Sequence, residues 1–187
     1  MDQIGTITSL GSDKFLVNDT VMSIDELIML LELERVDSLE QQLADELQSM
    51  AELNDLLKEA NKMLSIARTE KGKLEGKGHS DMPPEMIDFF EDHDVQQGLS
   101  KYDKEHKGVA HGNKYLDDEG YDFCQNSDEW ETSIENLKAF IDGLNSRSQV
   151  QMLRISSLIK KRDESLTMPS NTNNSLHQTN QGILNKI

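Results

Sequence analysis

The chain has 187 residues, of which 35% are apolar and 5% aromatic, and its formal net charge is −16. The apolar content is below the roughly 45–50% usual for a globular domain, so we expect no large rounded core. The negative charge argues against nucleic-acid binding, which needs Lys and Arg to neutralise phosphates, and one cysteine excludes an internal disulfide.

The first 22 residues include only four charged residues, whereas Ser and Thr together account for five. We predict a flexible N-terminal segment over residues 1–22. Its sequence lacks the basic region followed by an apolar run that marks a cleaved signal peptide. Since no stretch reaches the ~18 apolar residues of a membrane span, membrane insertion is not expected either.

A first coiled-coil helix is predicted over residues 23–70. Ser23 and Glu26 have the spacing of a capping box, in which each side chain bonds to the other residue's backbone N–H. The predicted core then repeats every seven residues, as in a coiled coil, through Met29, Val36, Leu43, Met50, Leu57 and Leu64. A second seam, at offsets of three or four, comprises Leu33, Leu39, Leu47, Leu53, Ala60 and Ala67.

Residues 71–127 are predicted to form a small insert that is irregular or α+β. A short helix over 84–91 begins at a proline pair, and its apolar residues are suited to pack on the long helices. Four histidines and Cys124 also fall in the insert, but they lack the close ligand pairs of structural zinc sites, so we expect no metal. Since no catalytic or phosphate-binding motif is present, we expect neither enzymatic activity nor a cofactor.

A second coiled-coil helix is predicted over residues 128–187, with Asp128 as its N-cap and Glu131 three residues later. Its predicted core comprises Ile134, Leu137, Ile141, Leu144, Ile155 and Leu158. Pro169 falls on the same seam, where proline removes a backbone hydrogen bond and clashes with the preceding turn. We therefore predict a kink at Pro169, followed by a polar end that becomes ordered on assembly.

Charge favours an antiparallel pairing of the two helices. Residues 23–70 hold 12 acidic and 4 basic residues, whereas residues 128–187 hold 7 of each. An antiparallel arrangement brings Lys160, Lys161 and Arg162 near the acidic start of the first helix, and a parallel arrangement would bring acidic residues together. The predicted fold is therefore mainly α: a long antiparallel coiled-coil hairpin of the N- and C-terminal helices, with the insert between them.

Some apolar residues of the second helix lie outside the core of this hairpin. Met152, Ile159 and Leu166 form a neighbouring stripe, and the seam continues past the end of the first helix. An apolar stripe without a partner in its own chain indicates contact with another molecule. We predict that self-assembly uses Met152, Ile159, Leu166, Leu176, Ile183, Leu184 and Ile187.

The C-terminal helix resembles that of the type III secretion needle-tip and translocation-filament proteins, the EspA-like family. The matching residues are Ser146, Ser148 and Gln149, then Met152, Leu153, Ser157, Leu158 and Arg162, and finally Ile183, Leu184 and Ile187. The stretch MPPEMIDFF is similar to an element that follows the first helix in that family. The resemblance covers about 110 residues of the chain.

The resemblance implies a secreted structural subunit that self-assembles at the needle tip into a cap or hollow filament, through which translocators and effectors reach the host cell. The implied partners are further copies of the chain, the needle subunit, pore-forming translocators and a dedicated export chaperone. The implied location is extracellular, at the bacterial cell surface, with residues 1–22 as an export segment.

Pro169 departs from the family pattern, either as a natural kink or as an introduced substitution that blocks assembly. A different class of protein also fits the stripe, namely a cytosolic coiled-coil adaptor or secretion chaperone that holds a partner through it.

Overall fold

A computed structural model describes residues 6–11, 13–74, 78–99 and 123–184, with side chains described up to residue 167 in the last range. The fold is mainly helical, at 74%, with a long N-terminal helix, a C-terminal helix and small antiparallel sheets. The chain divides into two compact units. Unit 1 comprises Met1–Ser49 and Gln151–Ile187, and unit 2 comprises Met50–Val150.

The N-terminal segment contains a three-stranded antiparallel sheet. Its strands are β1 (Thr8–Gly11), β2 (Lys14–Val17) and β3 (Thr20–Ser23), in that order across the sheet. The prediction of a flexible segment over residues 1–22 is therefore wrong for these strands. The missed signal is Asn18-Asp19, which joins β2 to β3 with positive φ at both residues, as a two-residue hairpin turn requires.

Helix α1 (Ile24–Lys73) begins at the predicted capping box. The backbone N–H of Ser23 donates to the Glu26 carboxylate at 2.7 Å, and the N–H of Glu26 donates to the Ser23 hydroxyl at 3.3 Å. The hydrogen bond from the Ser23 backbone lowers the pKa of Glu26. The helix ends three residues beyond the predicted boundary, and Lys71 and Lys73 in its last turn complement the helix dipole.

The described part of the insert is α+β. Strands β4 (His79–Asp81) and β5 (Cys124–Asn126) pair antiparallel, and helix α2 (Pro84–Asp92) lies between them in sequence. The predicted helix over 84–91 is confirmed, with one further residue. Between α2 and β5, residues 100–122 lie outside the described part of the chain.

Helix α3 (Ser127–Leu184) begins at a different cap from the predicted one. The Asn126 side chain accepts from the N–H groups of Asp128 and Glu129, at 2.8 and 3.1 Å, and the Asn126 N–H donates to the Glu129 carboxylate at 2.7 Å. The capping box is therefore Asn126 with Glu129, and the prediction of Asp128 as N-cap is wrong. The assigned helix continues through Pro169, although side chains from residue 168 onward lie outside the described ones.

Unit 2 contains a closed apolar core between α1, α2 and α3. The small residues Ala60 and Ala67 of α1 are fully buried, as are Trp130 and Leu137 of α3. Helix α2 contributes Met86, Ile87, Phe89 and Phe90 to the same cluster, and the Phe89 and Phe140 rings meet edge to face with centroids 5.9 Å apart. The apolar residues of α2 thus pack on the long helices, as predicted.

Candidate interaction surface

The predicted core residues within unit 2 are mostly buried. Leu64, Ile134, Leu137, Ile141 and Leu144 are buried, whereas Leu57 is half-buried. Met50 is also half-buried, and its sulfur accepts a 3.5 Å hydrogen bond from the Ser148 hydroxyl. The heptad pattern therefore identifies the buried side of α1 and α3 in this unit.

Within unit 1 the same pattern is less completely buried. Val36 is buried and Leu43, Ile155 and Leu158 are half-buried, but Met29 is 57% exposed. The prediction of Met29 as a core residue is therefore wrong. In the first turn of α1 the buried apolar side chain is Leu27, two residues earlier and about 200° around the helix.

The second seam of α1 also departs from its predicted course. A seam that alternates steps of three and four residues passes from Leu39 through Glu46 to Leu53, not through Leu47. Glu46 is half-buried and its backbone carbonyl accepts a 3.0 Å hydrogen bond from Gln151, whereas Leu47 is 51% exposed. Leu47 was predicted in the second seam because it is apolar, although Glu46 has the helical spacing that the seam requires.

Exposed apolar side chains are concentrated in unit 1. Of the thirteen large apolar side chains found exposed among the described residues, twelve belong to unit 1, and Val150 alone belongs to unit 2. The difference indicates that unit 2 covers its apolar surface within the described chain and that unit 1 does not.

The predicted self-assembly stripe on α3 is exposed where it is described. Met152, Ile159 and Leu166 recur every seven residues and are 61%, 39% and 52% exposed. Leu176, Ile183 and Leu184 lie on the same helix beyond the described side chains, and Ile187 lies outside the described residues. A shallow depression beside Ile159 is lined by one helix alone, so it does not enclose a small molecule.

Sequence reasoning missed two further residues of this kind, Leu33 and Leu47 on α1. With Val36 and Ile155 taken as heptad a positions, Leu33 and Leu47 occupy e positions, and so do Met152, Ile159 and Leu166. In a two-helix coiled coil, e residues flank the seam and their side chains stay accessible. Repeated apolar e positions on both helices are the signal that could have identified all five residues.

Among the described side chains, two polar atoms are buried without a hydrogen-bond partner, and both belong to unit 1. They are Glu32 Oε2 and Ser165 Oγ, and Ser165 is only 1% exposed. Arg35 Nη1 lies 3.8 Å from Glu32 Oε2, which is ion-pair range but too long for a hydrogen bond. In addition, Pro169 has no N–H to donate to the Ser165 carbonyl four residues earlier. Unit 1 therefore buries polar atoms at Glu32 and Ser165 whose hydrogen-bonding capacity is not met.

The described residues contain no cluster suited to metal binding. They include no group of three or more His, Cys, Asp or Glu side chains that could hold a metal ion. Cys124 has a half-buried thiol with interactions of its own. Of the four insert histidines, His106 and His111 lie outside the described range. No described helix is long and apolar enough to cross a membrane.

Among the described residues, two carboxylates near helix ends, Glu26 and Glu131, have lowered pKa values. The ammonium group of Lys71 forms a short ion pair with Glu131, and hydrogen bonding to Lys71 lowers the pKa of Glu131. Glu26 and Glu131 both have a structural role near a helix terminus. Neither belongs to the exposed apolar stripe of α3.

Comparisons with protein-family models, curated proteins and solved structures find no match to this chain.

Proposed function

We propose that this protein is a self-assembling structural subunit and that unit 1 carries its assembly surface. The observation that carries the proposal is the contrast between the closed core of unit 2 and the twelve large apolar side chains that are exposed among the described residues of unit 1. Burial of apolar surface contributes about 25 cal/mol per Å², so exposed side chains of this size favour contact with another chain. The buried oxygens of Glu32 and Ser165 that lack a hydrogen-bond partner also favour a helix pair that repacks on assembly.

We infer further that α1 and α3 form an antiparallel coiled-coil hairpin. In unit 1, Gln151 donates to the Glu46 carbonyl at 3.0 Å, and Arg154 Nη1 lies 3.7 Å from Glu46 Oε1. In unit 2, Ser148 bonds to Met50 and Lys71 pairs with Glu131. The residue numbers of these partners add up to between 197 and 202, and a nearly constant sum is what an antiparallel pair requires.

In such a hairpin, the e positions of both helices lie on the same side of the pair. Leu33, Leu47, Met152, Ile159 and Leu166 of unit 1 then form one apolar surface, which we call the assembly face. It spans two heptads, roughly 20 Å at 1.5 Å per residue. A helical surface of that length is sufficient for another helix to pack along it.

The class of assembly follows from the sequence resemblance. We propose a type III secretion needle-tip or translocation-filament subunit, secreted to the bacterial surface, where it conducts translocators and effectors. Self-assembly then uses the assembly face together with Leu176, Ile183, Leu184 and Ile187. The proposed further partners are the needle subunit, pore-forming translocators and an export chaperone.

A cytosolic coiled-coil adaptor or secretion chaperone is the second candidate, because an exposed apolar face also serves to hold a different protein. Negative-stain electron microscopy of the purified full chain separates the two functions. Filaments or tubes of uniform diameter support the structural subunit. Dimers that never elongate over a wide concentration range favour the adaptor.

The secretion class has its own experiment. The protein is expressed in a bacterium with a type III apparatus, and its appearance in the medium is compared with that in a strain lacking the export ATPase. Secretion that depends on the ATPase supports the proposed class. Retention in the cytoplasm of both strains, with normal secretion of a known substrate, contradicts it.

A further inference from the structure

The α1 part of the assembly face is acidic. Between the exposed residues Leu33 and Leu47, the same side of the helix carries Asp37 and Glu40, both exposed. Residues 24–49 contain eight acidic residues and one basic residue, Arg35, which pairs with Glu32 at 3.8 Å. Any chain that packs over this surface must therefore bring cations to the two carboxylates.

A different surface of unit 1 is basic. On α3, Leu153 is 71% exposed, and Ser157, Lys160 and Lys161 follow it at helical spacings of four, seven and eight residues. We call these four residues the basic ridge. Residues 151–167 contain four basic and two acidic residues. The ion pair of Lys160 with Glu164, at 3.8 Å, is largely exposed and exchanges readily for another partner.

The basic ridge and the assembly face lie on different sides of the same helix. Leu153 is six residues from Ile159, which corresponds to about 120° around an α-helix. One copy can therefore present its ridge to a second copy while its assembly face remains available to a third.

Packing the α1 sides of two assembly faces against each other is unfavourable. A symmetric contact that lays α1 of one copy on α1 of the other would bring Asp37 and Glu40 of both copies together under apolar surface, where unpaired carboxylates lose hydration without gaining a partner. The ridge avoids this conflict because Leu153 and Lys160 are seven residues apart, and so are Leu47 and Glu40. In an antiparallel contact, Leu153 next to Leu47 brings Lys160 next to Glu40.

We propose that self-assembly is head to tail, with the basic ridge of one copy docked on the assembly face of the next. This mode rests on the proposed self-assembly and specifies the surfaces that meet. A contact between two different surfaces does not close on itself as a symmetric dimer does, so it repeats along an open helical array. The proposed filament architecture is a direct consequence.

Charge reversal tests this mode in the full-length chain. The face variant carries Asp37→Lys and Glu40→Lys, and the ridge variant carries Lys160→Glu and Lys161→Glu. Lys and Glu have similar helix propensities and all four sites are exposed, so circular dichroism should show unchanged helicity. Sedimentation velocity at low salt then reports assembly of each variant, of their equimolar mixture and of the chain with all four substitutions.

Head-to-tail docking predicts that each variant alone loses assembly by on the order of tenfold or more. The mixture and the fourfold variant should recover it, because every contact again joins opposite charges. If wild type assembles and the ridge variant assembles equally well, the ridge is not part of the contact. If neither mixing nor combination restores assembly, charge pairing between these surfaces is also ruled out.

Failure of the proposed function itself gives a different result, since wild-type protein would then remain monomeric at all concentrations. Monomeric wild type that binds a synthetic amphipathic helix of Leu and Lys would assign the assembly face to a different protein. Either result overturns head-to-tail self-docking.

Discussion

The Ser133 hydroxyl accepts a 2.7 Å hydrogen bond from the backbone N–H of Gly98. The same hydroxyl donates to Gln125 Oε1 at 2.9 Å, and all three residues are buried. This bond joins the segment after α2 to the first turns of α3, and it belongs to the closed core of unit 2. Ser165 of unit 1 is equally buried but its hydroxyl is unpartnered, so the two serines form a matched pair for experiment.

Replacing each serine by alanine should lower the stability of the chain at Ser133 but not at Ser165. Ser133→Ala leaves a buried N–H and a buried amide oxygen unpaired, so we expect the free energy of unfolding to fall by about 1–3 kcal/mol. Ser165→Ala removes an unpartnered hydroxyl and improves helix propensity, so the free energy should stay unchanged or rise by up to about 1 kcal/mol. Urea unfolding measures both, and an equal loss in the two variants would contradict the difference.

Two glycines provide a second matched pair in unit 2. A Cβ at Gly98 would lie 2.0 Å from the backbone oxygen of Glu129, whereas a Cβ at Gly143 in α3 meets nothing within 4 Å. Gly98→Ala should therefore lower the free energy of unfolding by about 2 kcal/mol or more, because the helix backbone cannot move aside. Gly143→Ala should raise it by about 0.5–1 kcal/mol. Thermal melting of both variants tests the pair, and wild-type stability of Gly98→Ala would show that the segment can relax.

The capping box of α1 predicts that the stability of the fold depends on pH. Hydrogen bonds from Ser23 lower the pKa of Glu26 in the folded chain. The ionised carboxylate therefore stabilises the fold above its unfolded pKa of about 4.3, and this contribution disappears as pH falls through the lower folded pKa. Ser23→Ala should raise the pKa of Glu26, while the backbone hydrogen bond retains part of the shift. Carboxyl NMR titration measures it, with Glu131 as the control whose pKa should not move.

Pro169 predicts an effect on both helix stability and assembly. Pro169→Met restores an N–H that can bond to the buried Ser165 carbonyl, so α3 should gain up to about 3 kcal/mol of local stability. If Pro169 blocks assembly, the variant should also sediment as larger species than wild type. Unchanged sedimentation together with slower amide exchange around residue 165 would identify a natural kink that does not limit assembly.

Much of the helical framework follows from local sequence patterns. The capping box at Ser23 and the seven-residue repeat predict α1, because both depend only on residues within one or two turns. The cap of α3 was harder to identify, since Asn126 with Glu129 and Asp128 with Glu131 have the same spacing. Burial of Glu129 distinguishes them, and burial is not visible in the sequence.

The two units differ in how completely they bury their apolar side chains. The heptads could not predict this difference, because the repeat runs through both units. Its cause is tertiary: α2 and the segment joined to Ser133 pack against the long helices in unit 2 and complete the core there. The offset at Glu46 also needed the structure, because Leu47 has the more apolar side chain while Glu46 has the correct helical phase. The N-terminal sheet, by contrast, carried a readable signal in its Asn18-Asp19 turn.

The most direct measurement of the central proposal is sedimentation velocity of the full chain over a wide concentration range. The assembly variant carries Met152→Asp, Ile159→Asp and Leu166→Asp, and Val21→Asp, at a similarly exposed residue of the N-terminal sheet, is the control. We predict that wild type and the control form progressively larger species, while the assembly variant stays monomeric with unchanged helicity. A chain that is monomeric throughout, both as wild type and as Pro169→Met, or an assembly variant that associates as wild type does, would contradict an assembly surface on unit 1.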